Sequence, residues 1–386
     1  PAAPGEPAVT VQPEAVRARF DLGPGTYLLN HSVGRPPVDS RDAFTAAFYA
    51  PWQEGEGEPW PAWLGAVECF RGVLGELLGA RGDDLCPQPD VSTGFARILQ
   101  CVPGLTTRRE ILLSERAFPS LGFVVERARS LGLVPRFLPA DADERDPDAW
   151  RAQLSDDTAL VLVTQVQSNT GVQVPVAPVC AAARERGALT VVDAAQAVGI
   201  LPIDVATIGA DFLLGSCVKW LCGGPGAGFL WVEPGLVERC EPAAVGWFSH
   251  ADPFAFDIHD FRYDPGALRF WGGTPSIAPF AIAAHSIACL KAIGVDRIRR
   301  HNLALGDRLR AGVPAECRVS PAQSDCRSGT VVLDFGQRND LVAQAFEATG
   351  VAVDRRATGF RLSPHIYNNG RDIDQVLAAL KSLGLA

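Results

Sequence analysis

The sequence has 386 residues, of which 47% are hydrophobic and 20% are charged, and its formal net charge at pH 7 is −9. This composition is typical of a folded protein with about two domains, and it disfavours a nucleic-acid or anionic-membrane partner, which would require a basic face. No apolar run is long enough to cross a membrane, and the start of the chain lacks a basic-then-apolar leader, so we expect no membrane partner.

The cysteine pattern indicates a reducing environment. Ten cysteines are scattered along the chain without a CxxC pair, and methionine is absent. Cysteines distributed in this way through a chain of this length are typical of reduced packing residues in a cytoplasmic protein. We therefore expect neither a disulfide framework nor a metal site.

The first part of the chain shows two kinds of segment. Residues 1–20 begin with a Pro/Ala-rich stretch and are interpreted as a flexible tail. From about Val67 to Val232, apolar runs of strand length alternate with helical stretches, among them 123–130 and 179–186. Such alternation predicts an α/β fold in which helices cover a mostly parallel sheet, and we assign it to a large domain at residues 21–278. The clearest strand-length runs are Ile111–Ser114, Ala159–Thr164 and Leu189–Asp193.

The pattern changes in the region of Ser276 to Gly294. Two long helical stretches, 276–293 and 296–311, are followed by short apolar segments and a last helix at about 372–383. Mixed short elements of this kind predict a smaller C-terminal α+β domain at residues 279–386. The short apolar segments are Thr330–Phe335, Val351–Asp354 and Phe360–Ser363.

Two neighbouring predicted strands end in residues with useful chemistry. The run Val191–Gln196 carries Asp193 and Gln196 at its end, and the run Asp211–Ser216 leads to Lys219 and a glycine-rich turn. Because ligands of parallel sheets bind at the carboxyl ends of the strands, we expect these residues to meet there. A core aspartate and a surface lysine are the ordinary alternative for either residue alone, but the spacing, the strand context and the glycines together favour a cofactor site.

This arrangement is the one that pyridoxal 5′-phosphate (PLP) requires. The amine of Lys219 forms a Schiff base with the PLP aldehyde, and the carboxylate of Asp193 keeps the pyridine nitrogen protonated, so that the ring accepts electrons. The sequence therefore predicts Lys219 and Asp193 as catalytic residues. Ser216 and Gln196 are expected to contact the cofactor.

Several motifs together resemble fold-type I PLP enzymes of the class V aminotransferase superfamily, and within it the chain is most similar to kynureninases. The resemblance extends from about Tyr27 to the C-terminus and includes cysteine desulfurases and selenocysteine lyases. It implies a seven-stranded large-domain sheet, an amino-acid substrate and a homodimer with active sites at the subunit interface. The motifs that carry it are Ala117–Ser120, Val166–Gly171, Ser216–Lys219 and Gly246–His250.

The resemblance assigns further cofactor contacts. Ser92 and Thr93, at the start of a helical run, would hold the phosphate, although a plain helix cap is the alternative reading. Phe118 would stack on the pyridine ring. Trp247 and Thr274 would reach the phosphate of the neighbouring subunit's cofactor.

It also assigns a substrate site. Arg361 matches the arginine that binds the substrate α-carboxylate, for which a planar guanidinium is well suited. Asn30 and His31 lie where the N-terminal segment of the family folds over the substrate. Ser168 and Asn169, within the motif 166–171, are assigned to the same site.

Three positions depart from kynureninases. Gln196 stands in place of a histidine, and its amide can bind the phenolic oxygen of PLP without adding a titrating group. Val218 replaces a tyrosine that is implicated in proton transfer, and Leu121 replaces an aspartate near the ring. The valine in particular argues against simple kynureninase activity. A persulfide-forming desulfurase is disfavoured because no cysteine follows Cys326.

These observations predict a kynureninase-like, PLP-dependent lyase or hydrolase that acts on an L-α-amino acid through Schiff base and quinonoid intermediates. Cleavage of a β-substituent, at a C–S or C–C bond, is the favoured reaction. A class V aminotransferase, an amino-acid epimerase and a true kynureninase are alternatives. A non-catalytic PLP-binding protein is disfavoured, since a mere binder would not need the carboxylate-binding Arg361.

Overall fold

The structure, a computed structural model, describes residues 13–101 and 107–386. Its strands are β1 (Thr26–Tyr27), β2 (Leu85–Gln88), β3 (Glu110–Ser114), β4 (Val134–Leu138), β5 (Thr158–Thr164), β6 (Leu189–Asp193), β7 (Phe212–Ser216), β8 (Gly228–Val232), β9 (Val331–Leu333), β10 (Val351–Ala352), β11 (Asp354–Arg356) and β12 (Gly359–Leu362). Its α-helices are α1 (Pro13–Arg17), α2 (Ser40–Phe44), α3 (Ala50–Glu54), α4 (Trp60–Leu78), α5 (Val91–Leu99), α6 (Pro119–Arg127), α7 (Pro147–Arg151), α8 (Val176–Glu185), α9 (Val205–Ile208), α10 (Pro234–Val237), α11 (Ala278–Ile293), α12 (Val295–Ala311), α13 (Asn339–Ala348) and α14 (Gly370–Lys381).

The largest sheet has seven strands in the order β2-β8-β7-β6-β5-β3-β4. Strand β8 is antiparallel to both of its neighbours, and the other pairs in the sheet are parallel. Helices α5 and α8 pack against the central strands, and β5 is buried along its whole length, as is usual for a parallel strand in this kind of fold. The predicted α/β fold with a mostly parallel sheet is confirmed.

Two elements differ from the sequence-based expectation. Helix α6 begins at Pro119, because Phe118 is extended and a proline is favourable in the first turn of a helix. After Arg127 the chain tightens into a 3-10 turn, which ends at Gly132 with a φ of 82°. The short apolar segment at 351–354 is divided between two strands, because β10 pairs with β1 whereas β11 pairs with β12.

The buried apolar side chains form two clusters. The larger one surrounds the seven-stranded sheet and includes α11, which packs on α4. The smaller one is made by β9, β12, α13 and α14, together with the second half of α12 and Leu28. The predicted domain limits, 21–278 and 279–386, stay predictions.

The N-terminal segment crosses between the two clusters. Residues 1–12 of the predicted tail lie outside the described residues. Within residues 13–20, Val16 and Phe20 are buried, and Arg17 Nη1 donates to Asp372 Oδ2 at 2.7 Å. Further along, the chain pairs through β1 with β10 and then runs over the lysine-bearing loop.

Among the described residues, no single helix is both long and apolar enough to cross a membrane, although α11 and α12, bent by 76° at their junction, meet that test as a pair.

Candidate active site

A cavity of about 380 Å³ lies at the carboxyl ends of β5, β6 and β7. Residues from the ends of these strands and from the starts of α5 and α6 form its wall. The arrangement follows from parallel pairing, which brings successive strand ends to one edge of the sheet. The lining residues are Asp90, Val91, Ser92, Phe118, Ser120, Leu121, Thr164, Val166, Ser168, Asp193, Ala195, Gln196, Ser216 and Lys219.

The loop that carries Lys219 is closed by backbone hydrogen bonds. The Cys217 amide donates to the Ala227 carbonyl, and the Gly223 amide donates to the Cys217 carbonyl, both at 2.8 Å. The glycine-rich turn after the lysine therefore folds back beside the end of β7. This closure holds Lys219 at the cavity wall.

Gly34 of the N-terminal segment packs directly on the same loop. Its amide donates to the Val218 carbonyl at 2.8 Å, and a Cβ at this position would lie 2.2 Å from the Lys219 carbonyl oxygen. No larger residue fits without moving the backbone. The segment 28–34 is thereby joined to the loop that carries Lys219.

Lys219 and Asp193 influence each other's charge. Burial lowers the pKa of Lys219, the Asp193 carboxylate raises it, and the Arg361 guanidinium lowers it. Burial raises the pKa of Asp193, whereas Lys219 and a 3.0 Å hydrogen bond from the Ala195 amide lower it. An amine with a lowered pKa is partly deprotonated nearer to neutral pH, which a nucleophilic lysine needs. The Lys219 Nζ also lies 5.5 Å from the ring centroid of Phe118.

The amide of Gln196 is held at both ends. Its Nε2 donates to the His31 carbonyl at 3.0 Å, and its Oε1 accepts a hydrogen bond from Trp220 Nε1 at 3.0 Å. Gln196 is buried and still lines the cavity.

The start of α5 lies at one end of the cavity. The helix begins at Val91, so that Ser92 and Thr93 are in its first turn and Asp90 is the N-cap. The Asp90 carboxylate accepts the Thr93 amide at 2.7 Å and the Thr93 hydroxyl at 3.0 Å. Ser92 lines the cavity, whereas Thr93 is engaged with Asp90.

Arg361 lies at the border of the cavity, next to Ser168. Its Nη1 donates to the Ser168 carbonyl at 3.1 Å, and its Nε donates to Asp354 Oδ2 at 2.7 Å. The side chain is buried, with 7% exposed. Burial lowers the Arg361 pKa, and the bond and charge of Asp354 raise it.

The other predicted substrate residues lie behind this wall. His31 is buried, with Nδ1 2.7 Å from Ser363 Oγ and Nε2 3.6 Å from Asp354 Oδ2, and burial lowers its pKa. Asn30 Oδ1 accepts the Tyr367 hydroxyl at 2.5 Å. Asn169 is held through its carbonyl, which accepts the Thr358 hydroxyl at 2.8 Å. Their direct contact with a substrate stays a prediction.

Trp247 and Thr274 lie together at a different place. Trp247 Nε1 donates to Thr274 Oγ1 at 3.3 Å, and Trp247 lines a second cavity of about 330 Å³ with Phe256 and Ile258. Within the described chain they do not line the cavity of Lys219. Contact with a neighbouring subunit's cofactor stays a prediction.

Sequence reasoning missed three residues of the site. Asp90 could have been found from the Asp-x-x-Thr spacing that is typical of an N-cap. Asp354 stands at the end of an apolar run, where a carboxylate needs a partner. Trp220, which follows Lys219, gave no signal, because its contact with Gln196 depends on how two loops meet.

The sequence profile of the class-V aminotransferase family matches residues 92–376. The chain belongs to this family. It is similar to the kynureninase of Deinococcus radiodurans, with 28% identity over 95% of this chain and 92% of that protein. It is also similar to YcbU of Bacillus subtilis, an uncharacterized aminotransferase, with 27% identity over 84% of this chain and 86% of that protein.

Solved structures show the same fold. The apo cysteine desulfurase of Thermococcus onnurineus NA1 superposes with a TM-score of 0.86 at 23% identity, covering 97% of this chain and 99% of that one. The cystine C–S lyase C-DES superposes with a TM-score of 0.83 at 21% identity, covering 93% of this chain and 98% of that one. The expected family is confirmed. The protein is a PLP-dependent enzyme.

The residues of the cavity fit this cofactor. A buried carboxylate, Asp193, and a lysine of lowered pKa line the same wall, and Phe118 offers an aromatic face beside them. The Thr164 hydroxyl, which is buried and without a partner among the described residues, is available to a ligand there. Ser92 and Ser216 also line the cavity, and their contact with the cofactor stays a prediction.

Proposed function

We propose that the enzyme cleaves a substituent from Cβ of an L-α-amino acid, at a C–S or C–C bond. The observation that carries the proposal is the single cavity shared by Lys219 and Asp193, with Arg361 at its border. The cavity thus combines a base, a buried carboxylate and a carboxylate-binding cation.

Arg361 binds the α-carboxylate of the substrate. A guanidinium has five N–H donors. Asp354 accepts the Nε–H and one N–H of Nη2, and the Ser168 carbonyl accepts one N–H of Nη1. The remaining N–H groups of Nη1 and Nη2 can bind a second carboxylate. The substrate amine is thereby oriented toward Lys219.

Lys219 moves protons at the reacting carbon. PLP, when bound here, supplies an electron sink for negative charge at Cα of the substrate. The uncharged Lys219 amine takes the proton from Cα, and its ammonium can return a proton to the departing group or to the product. The Asp193 carboxylate keeps a proton on the pyridine nitrogen. The apolar side chains of Phe118, Leu121 and Val166 form one side of the cavity.

Two features favour β-cleavage without a persulfide on the enzyme. The cavity lining, within the part of the chain that the structure describes, contains no cysteine, and burial raises the pKa of the nearby Cys217 and Cys222 thiols. A buried thiol of raised pKa is a poor nucleophile. Val218 has no group that transfers a proton, so proton transfer rests with Lys219.

The proposal includes a homodimer in a reducing compartment, the cytoplasm. An aromatic surface around Trp247 supports the dimer: Trp52 is 61%, Phe256 74% and Ile258 90% exposed. Apolar side chains exposed to this extent in one region mark an interface. All ten cysteines are free, which suits a reducing compartment.

The test is a panel of amino acids supplied to the PLP-loaded enzyme, with product analysis. An S-substituted cysteine plus water should yield a thiol, pyruvate and ammonia, and kynurenine plus water would yield anthranilate and alanine. Either result supports β-cleavage. A new keto acid without loss of the β-substituent would indicate an aminotransferase, and inversion at Cα an epimerase; either would overturn the proposal. Lys219→Ala is the control for turnover that depends on the site.

A further inference from the structure

Gln196 has only one orientation that satisfies both of its neighbours. An indole N–H can only donate and a backbone carbonyl can only accept, so the amide oxygen must face Trp220 and the NH₂ group must face His31. The two bonds, each 3.0 Å long, agree independently on this assignment. One N–H of Nε2 is then left for a ligand in the cavity that Gln196 lines.

Trp220 is itself held firmly. Its side chain is fully buried, and its ring stacks on His365 with 5.9 Å between the ring centroids. A Cβ at Gly329 would lie 2.5 Å from Trp220 Cη2, so the ring occupies space that only a glycine leaves open. The His365 Nε2 also lies 3.2 Å from the Trp220 carbonyl. The indole therefore offers its N–H from a fixed position.

We propose that Trp220 is a positioning residue that holds the Gln196 amide with an N–H toward the cofactor, so that Gln196 acts as a hydrogen-bond donor to the phenolic oxygen of PLP. Without the indole, only the His31 carbonyl orients the amide. The amide is then held at one end and aims its N–H less well at the phenolic oxygen. The inference depends on cofactor binding and is independent of which bond the enzyme cleaves.

The consequence can be read from the spectrum of the bound cofactor. A donor to the phenolic oxygen stabilises its negative charge, and this favours the deprotonated form of the lysine-linked cofactor. This deprotonation changes the absorbance of the cofactor, and the donor lowers the midpoint pH of that change. Removal of the donor should raise this midpoint.

The experiment is a spectrophotometric pH titration of PLP-loaded variants without substrate. Gln196→Leu should raise the midpoint by about one pH unit, the scale of one charge-assisted hydrogen bond. Trp220→Phe should raise it by about half a unit, because the donor is misoriented and not removed. The double variant should match Gln196→Leu alone, since Trp220 acts through Gln196.

Trp231→Phe is the matched control. Trp231 is also buried in the large domain, and its Nε1 has no hydrogen-bond partner among the described residues. The midpoint pH of Trp231→Phe should equal that of the wild type. An unchanged midpoint in Trp220→Phe, an equal shift in Trp231→Phe, or additive shifts in the double variant would each overturn the proposal.

A second variant keeps the proposal testable if Trp220→Phe does not fold. Gly329→Ala leaves every hydrogen-bonding group in place and displaces the indole by steric contact. A raised midpoint in folded Gly329→Ala supports the positioning role of Trp220, and a wild-type midpoint contradicts it.

Discussion

Asp354 and Arg361 are opposite each other on the antiparallel strands β11 and β12, and Arg361 Nε donates to Asp354 Oδ2 at 2.7 Å. This pairing fixes one side of the guanidinium and leaves its other N–H groups toward the cavity border. The acid that sequence analysis overlooked is therefore the residue that orients the predicted substrate-binding arginine.

Asp354→Asn should weaken substrate binding more than it slows chemistry. The amide keeps the shape but loses the charge-assisted bond, so Arg361 is less well oriented, and we expect KM to rise about 10-fold with a smaller change in kcat. Steady-state kinetics on the best substrate measure both. Asp340→Asn, which breaks the exposed pair with Arg355, is the control and should leave both constants unchanged. A fall in kcat of about 10-fold with an unchanged KM would contradict the orienting role.

Asp354 should also make the stability of the apo-protein fall at acid pH. Burial acts to raise the Asp354 pKa, but the His31 ring 3.6 Å away, the hydrogen bond from Arg361 and the nearby arginine charges outweigh it, so that the pKa lies below its ordinary value. The stabilisation is therefore fully present above the unfolded pKa of about 3.9 and is lost as the pH falls below it. Urea unfolding at about pH 6 and about pH 3 measures this effect. Between these pH values, the free energy of unfolding should fall by about 1–2 kcal/mol more in the wild type than in Asp354→Asn. Parallel curves for the two proteins would exclude this contribution.

Arg361→Ala should reduce kcat/KM by about 10²-fold, since two charge-assisted hydrogen bonds to the α-carboxylate are lost. Arg361→Lys should recover only part of this, because an ammonium lacks the planar fork. The exposed Arg355→Ala on the same hairpin is the control. The decisive measurement compares an amino acid with its carboxamide: wild type should discriminate strongly between them and Arg361→Ala should not.

Lys219→Ala should bind PLP without a covalent link and lose turnover by at least about 10³-fold. The chain has three lysines, Lys219, Lys291 and Lys381, so borohydride reduction followed by peptide mapping identifies the attachment site simply. In wild type the label should be on the peptide that contains Lys219. A label on Lys291 or Lys381 instead would refute the assignment.

The charge environment of Lys219 predicts opposite effects of two substitutions. The Asp193 carboxylate raises the Lys219 pKa and the Arg361 guanidinium lowers it. In the apo-protein, Asp193→Asn should therefore lower the Lys219 pKa, and Arg361→Ala should raise it. Reductive ¹³C-methylation and NMR titration of the three lysine signals measure this directly, and Lys291 and Lys381 serve as internal references. Shifts of the same sign in both variants would contradict the arrangement.

The sequence by itself determined the sheet and the edge at which the site lies. Continuous apolar runs such as β5 and β6 predict parallel strands, and parallel strands bring their carboxyl ends together, so Asp193 and Lys219 could be expected to be neighbours. Only the tertiary structure decided which groups hold these side chains. The bonds of Asp354 to Arg361 and of Trp220 to Gln196 depend on strand register and on how loops distant in sequence meet, and hydrophobic periodicity carries no information about either.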